Sequence, residues 1–456
     1  MPAPKRKHNV VPRLDRAARW LAPVAVFFVL AGVVLGNAIA SIGLGVALSA
    51  IFAGFLAAPW RARERVRDHR WPVLLSLAWV IAVGLQLLYS NNANGTAHHL
   101  GLQIAGPVFV LLLCIAPPNV RVLNTLIYTV FPLLLVSLIV ASVRHYFAHE
   151  ERLLYELTWS HAIPILFPWR SPEVYHESDI SHIYFSAFSA TMSVILLARR
   201  AFSPVRRKDW RSWSLAVLDI LVILSLVYYL HLFGERTGLM VLYGGLGLTF
   251  TYELAFRRKR WRLFVGAVLV LSIALVGAYY ALPTLRERVR HTTNDLAMTF
   301  EEQDVSDWSI GRRVGAWQTG YRLFLSNPLI GVGDGDIPDE MQRQYQQDGR
   351  FMEEKEQLKQ PHNEYLETAV GGGLVGLVLL LALLGLAYRK PADTFGGHFA
   401  VAFLACIMLA FISESILSRQ TGAYFFWLFW AVCVVQLPLP SSRKAATSAS
   451  SSAKVE

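Results

Sequence analysis

Apolar runs of roughly 20 residues, broken by short polar or basic segments, recur along almost the whole chain. At about 1.5 Å of rise per residue, a helix of that length crosses the ~30 Å hydrocarbon core of a bilayer. The pattern predicts spans over Leu21 to Gly36, Ala38 to Ala58, Pro72 to Tyr89, Leu100 to Ala116, Val122 to Val143 and Ile180 to Ala198. Six more follow over Trp213 to Phe233, Thr237 to Phe256, Leu263 to Leu282, Leu366 to Tyr388, Phe399 to Leu417 and Gly422 to Leu437. The chain reads as an all-α, polytopic membrane protein with about 12 transmembrane helices. Its basic, then apolar, start has no small-residue cleavage site before the next apolar run, so it is read as a retained first span.

One polar interruption is much longer than the rest, and it divides the chain. Residues 1–282 form a bundle of the first nine spans, 283–365 a long, partly helical loop before the third-last span, and 366–438 the last three spans. Residues 439–456 are a Ser/Ala-rich tail, read as disordered. No internal repeat is evident, which disfavours a transporter built from related halves.

Composition agrees with a membrane protein: 54% of the 456 residues are hydrophobic and only 16% charged, against roughly a quarter charged in soluble domains. The net charge of +11 reflects orientation rather than nucleic-acid binding. Basic blocks at Arg61 to Arg67, Arg199 to Lys208, Arg257 to Arg260, Arg389-Lys390 and Arg443-Lys444 all fall on one face if the N-terminus is cytoplasmic. Both termini then lie in the cytoplasm, and the long loop lies outside. Arg144 to Asp179, with Trp159, Phe167 and Trp169, is read as a partly interfacial outer segment. Cys114, Cys406 and Cys433 lie in apolar runs and suggest neither a disulfide framework nor a metal site.

Polar chemistry has few places to reside, and most of them face outwards. Arg236 stands in the short turn Gly234-Glu235-Arg236-Thr237-Gly238, where glycines allow close approach of a ligand and a snorkelling arginine is the plainer alternative. Arg312 and Arg313 precede Trp317, Tyr321, Phe324 and Leu325 at helical spacing, which places both arginines in the first turn of an amphipathic helix. Cations there oppose the helix dipole unless an anion is near. Asp334 and Asp336, in the glycine-rich run Asn327 to Asp336, imitate a metal-binding pair but read first as solvated turn residues. His362 follows Pro361 at the entrance to a span, where an imidazole can accept a proton. Asp219, inside a span, is read as a structural hydrogen-bonding group. Three guanidiniums and one imidazole on the outer face make an anion site with a base.

These motifs resemble the O-antigen ligase and polymerase superfamily of bacterial envelope glycosyltransferases. The resemblance is carried by Arg236-Thr237-Gly238, by the string from Gly311 through Trp317 to Pro328 and Gly333, and by His362-Asn363-Glu364-Tyr365-Leu366 followed by Gly371 to Gly373. It implies an inner-membrane enzyme that moves a glycan from undecaprenyl diphosphate to a sugar hydroxyl of lipid A-core at a periplasmic site. Membrane lipids would be its surroundings, and no nucleic acid is a partner. On this resemblance Arg236, Arg312 and Arg313 hold the diphosphate of the donor, and His362 is the general base of an inverting transfer. No metal or other cofactor is expected, so Asp334 and Asp336 would be incidental. An acidic residue expected near Gly371 to Gly373 is missing, which leaves Glu367 without an assigned role. A repeat-unit polymerase and a protein O-oligosaccharyltransferase share this architecture, although the short chain after the last span favours the ligase. A transporter of lipid-linked sugars is the alternative of another class.

Overall fold

A computed structural model of the protein describes residues 10–148, 182–202, 210–233, 236–281, 309–348, 358–389 and 397–435, together with 286, 289, 290 and 293. The interfacial segment expected around Trp159 and the tail 439–456 lie outside the described residues. The first half contains α1 (Val10–Leu35), α2 (Asn37–Ala57), α3 (Pro59–Asp68), α4 (Arg70–Leu85), α5 (Ala93–Gln103), α6 (Ala105–Ile115), α7 (Val120–Thr125), α8 (Phe131–Ala148) and α9 (His182–Phe202). The second contains α10 (Trp210–Phe233), α11 (Arg236–Phe250), α12 (Trp261–Ala281), α13 (Ser309–Ser326), α14 (Ile337–Asp348), α15 (Glu364–Arg389), α16 (Gly397–Ser413) and α17 (Gln420–Val434).

Among the described residues, ten helical segments are long and apolar enough to cross a membrane, and α16 and α17 are shorter apolar helices. Each predicted span finds its helix. All-α architecture follows from the bilayer itself, since a helix satisfies every internal backbone N–H and C=O without water.

The two short helices are the core of the bundle. Every residue of α17 from Thr421 to Val434 is buried, as expected of a helix that is apolar all round. Its aromatic side chains fill the centre: Phe425 stacks on Phe188 with ring centroids 4.1 Å apart, and Phe429 packs against Phe399 and Phe403. Polar groups there are paired, as a low-dielectric interior requires. The indoles of Trp79 and Trp427 both donate to Gln103 Oε1 at 3.0 Å, and Gln103 Nε2 donates to the Leu417 carbonyl at 2.9 Å.

Successive spans alternate in direction, so the connections sort onto two faces. One is basic: Arg200 Nε donates to Asp219 at 2.6 Å beside Arg199, and Arg257 pairs with buried Glu253 at 2.8 Å. Asp219 therefore has a structural partner, as its place in the bundle suggested. Trp20, Trp60, Trp71, Trp210, Trp213 and Trp261 are all exposed towards this end, where indole rings settle at headgroup depth. The opposite face carries α13, α14 and the glycine-rich turn.

Candidate active site

The loop face is assembled on a break in α15. At Gly373 the backbone leaves the helix (φ 62°, ψ −157°), which frees backbone groups that are costly to bury unpaired. The glycine-rich turn supplies their partners. Val332 N and Gly333 N donate to the carbonyls of Val370 and Gly371 at 2.8 and 2.9 Å, and Leu374 N donates to the Pro328 carbonyl at 2.8 Å. Backbones this close leave no room for side chains: a Cβ on Gly373 would lie 2.3 Å from the Leu329 carbonyl carbon, and one on Gly331 would lie 2.4 Å from Gly371 O. The glycines of both segments are thus two halves of one joint.

Asp334 and Asp336 are not solvated turn residues. Asp336 is buried and accepts from the backbone N–H groups of Asn91 and Asn92 at 2.8 and 2.6 Å. Both its oxygens are thereby used to tie the turn to the α4–α5 connection. Asp334 N donates to Gln86 Oε1 at 2.8 Å, and its carboxylate lies 3.4 Å from His99 Nε2. A Cβ on Gly371 would fall 2.0 Å from Asp334 Oδ1. The turn therefore delivers a carboxylate to the place where the sequence lacks the expected acidic side chain. Tyr89 completes the joint, its hydroxyl donating to the Ile330 carbonyl at 2.6 Å. Burial, with Asp334 and Asp336 nearby, pushes the Tyr89 pKa up to about 12, so this donor keeps its proton.

Helix α13 follows the amphipathic reading only in part: Phe324 packs on a core, but two of the predicted apolar residues do not. Tyr321 and Leu325 are exposed, whereas Ala316, Thr319, Gly320 and Leu323 face inward. Small residues win this face because α13 lies close to its neighbours: a Cβ on Gly320 would meet Leu366 and Pro361 at 3.1 to 3.2 Å. Ala316 and Leu323 join Ile337, Met341, Tyr345 and Val370 in a second, smaller core. Burial raises the pKa of Tyr345, and the charges near it include Arg312. Arg313, one residue on, points elsewhere.

That direction leads to His362. Its Nδ1 lies 2.7 Å from Oε1 of Glu414, a buried carboxylate, and Arg313 lies 3.6 Å from Oε2 of the same group. His362 has a positive φ of 50°, uncommon for a residue with a side chain and found where surrounding contacts hold it. Those contacts are a clasp between residues 362–367 and 412–417. Asn363 Nδ2 donates to the Ile412 carbonyl at 3.0 Å, Ser415 Oγ donates to Glu367 Oε2 at 2.6 Å, and Leu417 N donates to Glu364 Oε2 at 2.7 Å. Tyr184 braces the same strip by donating to the Ser415 carbonyl at 2.6 Å. Both sides of the His362–Glu414 pair are thus tied together by residues next to them in the chain.

Residues 220–381 match the family model described as O-antigen ligase. The chain carries an O-antigen ligase domain. No curated relative matches the chain. The O-antigen ligase match takes in Arg236, Arg312, Arg313, His362, Glu364 and Glu367 but ends within α15, so Glu414, α16 and α17 lie beyond it.

Arg236 is the first residue of α11, and α11 packs antiparallel on α16. Gly244 faces Leu409, and Gly245 faces Cys406, whose thiol reaches the Val241 carbonyl. This register brings the Arg236 end of α11 to the end of α16 that leads into Glu414. The structure thus joins Arg313 and His362 through Glu414, sets Arg312 beside Tyr345, and puts Arg236 at the same end of the bundle.

Sequence reasoning passed over Glu414 and the clasp. Glu414 is the one acidic residue from Gly397 to Val435, between two apolar runs. An isolated carboxylate at a span end was the available signal. Among the described residues, no group of His, Cys, Asp and Glu has the arrangement of a metal site.

Proposed function

We propose that the protein is an O-antigen ligase that moves a glycan from undecaprenyl diphosphate to a sugar hydroxyl of lipid A-core on the periplasmic side of the bacterial inner membrane. The observation that carries this reading is the His362–Glu414 pair, held at 2.7 Å with Arg313 alongside, within and next to an O-antigen ligase domain. With Glu414 accepting from Nδ1–H, the lone pair of His362 sits on Nε2, the state needed of a base.

In the proposed reaction, the acceptor hydroxyl attacks the anomeric carbon of the donor sugar while its proton passes to His362 Nε2. The bond from that carbon to the diphosphate oxygen breaks on the opposite side, which inverts the configuration. Undecaprenyl diphosphate leaves with the bonding electrons, and Arg236, Arg312 and Arg313 neutralise its growing charge. A positioned donor of this kind is worth about 3 to 4 kcal/mol in the transition state, and a base about 10²- to 10⁴-fold. Guanidiniums bind phosphate oxygens in pairs and so take the part a divalent cation plays elsewhere.

The deciding experiment offers lipid-linked glycan to the reconstituted protein with lipid A-core, free repeat units and pilin in parallel, in EDTA. Product on lipid A-core is expected. Product only on repeat units or pilin would reassign the acceptor, and activity that is lost in EDTA and restored by Mg²⁺ would overturn the metal-free mechanism.

A further inference from the structure

A cavity of about 120 Å³ lies between α4, α5, α15 and the glycine-rich turn. It stands next to the His362–Glu414 pair, not inside it. Most of its wall is apolar, with Trp79, Val83, Ile330 and Val375 among the lining residues, but Gln86, His99, Asp334, Glu364 and Glu367 also face it. A mainly apolar wall with a few placed polar groups is how proteins hold small neutral ligands.

Glu367 is the informative group. Its side chain is buried, at 5% exposure, and one oxygen takes the Ser415 hydroxyl. Among the described residues no hydrogen bond reaches the other oxygen. Glu364 differs, since one oxygen takes Leu417 N and the other the Thr368 hydroxyl at 3.3 Å. A carboxyl oxygen of a buried residue, on the wall of a cavity and without a protein partner among the described residues, is available to hydrogen-bond a ligand. The lining residues include Asp334 and neither arginine nor lysine, so the cavity offers an anion no counter-charge and the diphosphate does not belong here. The lining groups also lack a metal-site arrangement among the described residues.

We infer that this cavity is a subsite for one uncharged sugar residue, whose hydroxyl donates to Glu367 Oε1 and whose C–H face lies on the apolar wall. This rests on the reading of the protein as a glycan transferase. Through Ser415 and Leu417 the cavity shares its wall with the strip that carries Glu414, so a sugar bound here is one belonging to the donor or acceptor glycan near the reacting bond. Its place beside the base makes it a determinant of which glycan is accepted.

Gly372 lines the cavity, and a Cβ there would meet nothing nearer than Gln86 Nε2 at 3.6 Å. Gly372→Leu should fill the subsite, and Gly372→Ala should narrow it if the larger change fails to fold. Saturation-transfer NMR on the full-length protein in nanodiscs would use a dephosphorylated core oligosaccharide and the free repeat-unit glycan as probes. Ring-proton signals from at least one probe are expected in the wild type and in His362→Ala, with binding weakened at least tenfold in Gly372→Leu. The probe that responds tells whether the sugar comes from acceptor or donor. No signal in the wild type, or equal signals in wild type and both Gly372 variants, would overturn the subsite. Binding with this pattern but without any glycan transfer would overturn only the proposed function.

Discussion

His362 and Glu414 are 52 residues apart in sequence and 2.7 Å apart in space, and the proposed chemistry needs the carboxylate as much as the imidazole. A buried acceptor on Nδ1 selects the ring tautomer and steadies the imidazolium that forms on proton transfer. Replacing Glu414 by Gln keeps the size but loses the charge. In Glu414→Gln we expect kcat to fall by about 10²-fold or more with the KM for the acceptor little changed; steady-state ligation by the purified variant measures this, and a wild-type kcat would remove Glu414 from the mechanism. Arg236 and His362 stood out in the sequence as polar candidates at the ends of apolar runs, and Arg312 and Arg313 as cations in the first turn of a helix in the long loop. Glu414 did not, because nothing local in Ser413-Glu414-Ser415 points to residue 362.

At the scale of elements, the informative unit is the joint between the glycine-rich turn and the break in α15. Spans were readable from apolar length alone, but neither half of this joint explains itself. Gly371 to Gly373 looked like a lost acidic position, and Asn327 to Asp336 looked like a tight glycine-rich turn with solvated aspartates. Only their contact shows that each keeps the other's backbone groups paired and that Asp334 restores a carboxylate beside Gly371. The amphipathic reading of α13 held for Phe324, which packs on the second core, but close packing selected small residues for the inner face and left Tyr321 and Leu325 outside. Gly373→Ala puts a side chain on a backbone with positive φ and into the Leu329 carbonyl. We expect it to destabilise the protein by about 1 to 3 kcal/mol or more, seen as a lower apparent Tm in detergent. An unchanged Tm would mean the joint is slack.

For the whole molecule, the spans set two faces, one basic with exposed tryptophans and one carrying α13, the glycine-rich turn and His362. In the proposed orientation the basic face is the cytoplasmic one. Trp60 and Leu329 are exposed on opposite faces, and the native Cys114, Cys406 and Cys433 are buried, so single cysteines can report sidedness against a low background. A membrane-impermeant maleimide added to spheroplasts should label Leu329→Cys and reach Trp60→Cys only after permeabilisation; the reverse order would invert the topology. On the proposed function, such a layout would let a lipid-linked donor and a lipid-anchored acceptor meet at one surface, with arginines to hold the leaving diphosphate and a histidine to take the proton.

The His362→Ala variant, reconstituted with lipid-linked O-antigen and lipid A-core and assayed for ligated product, tests this most directly. We predict a folded protein of unchanged topology whose transfer falls by about 10²-fold or more. Ligation at the wild-type rate would contradict the assignment of His362 as the base.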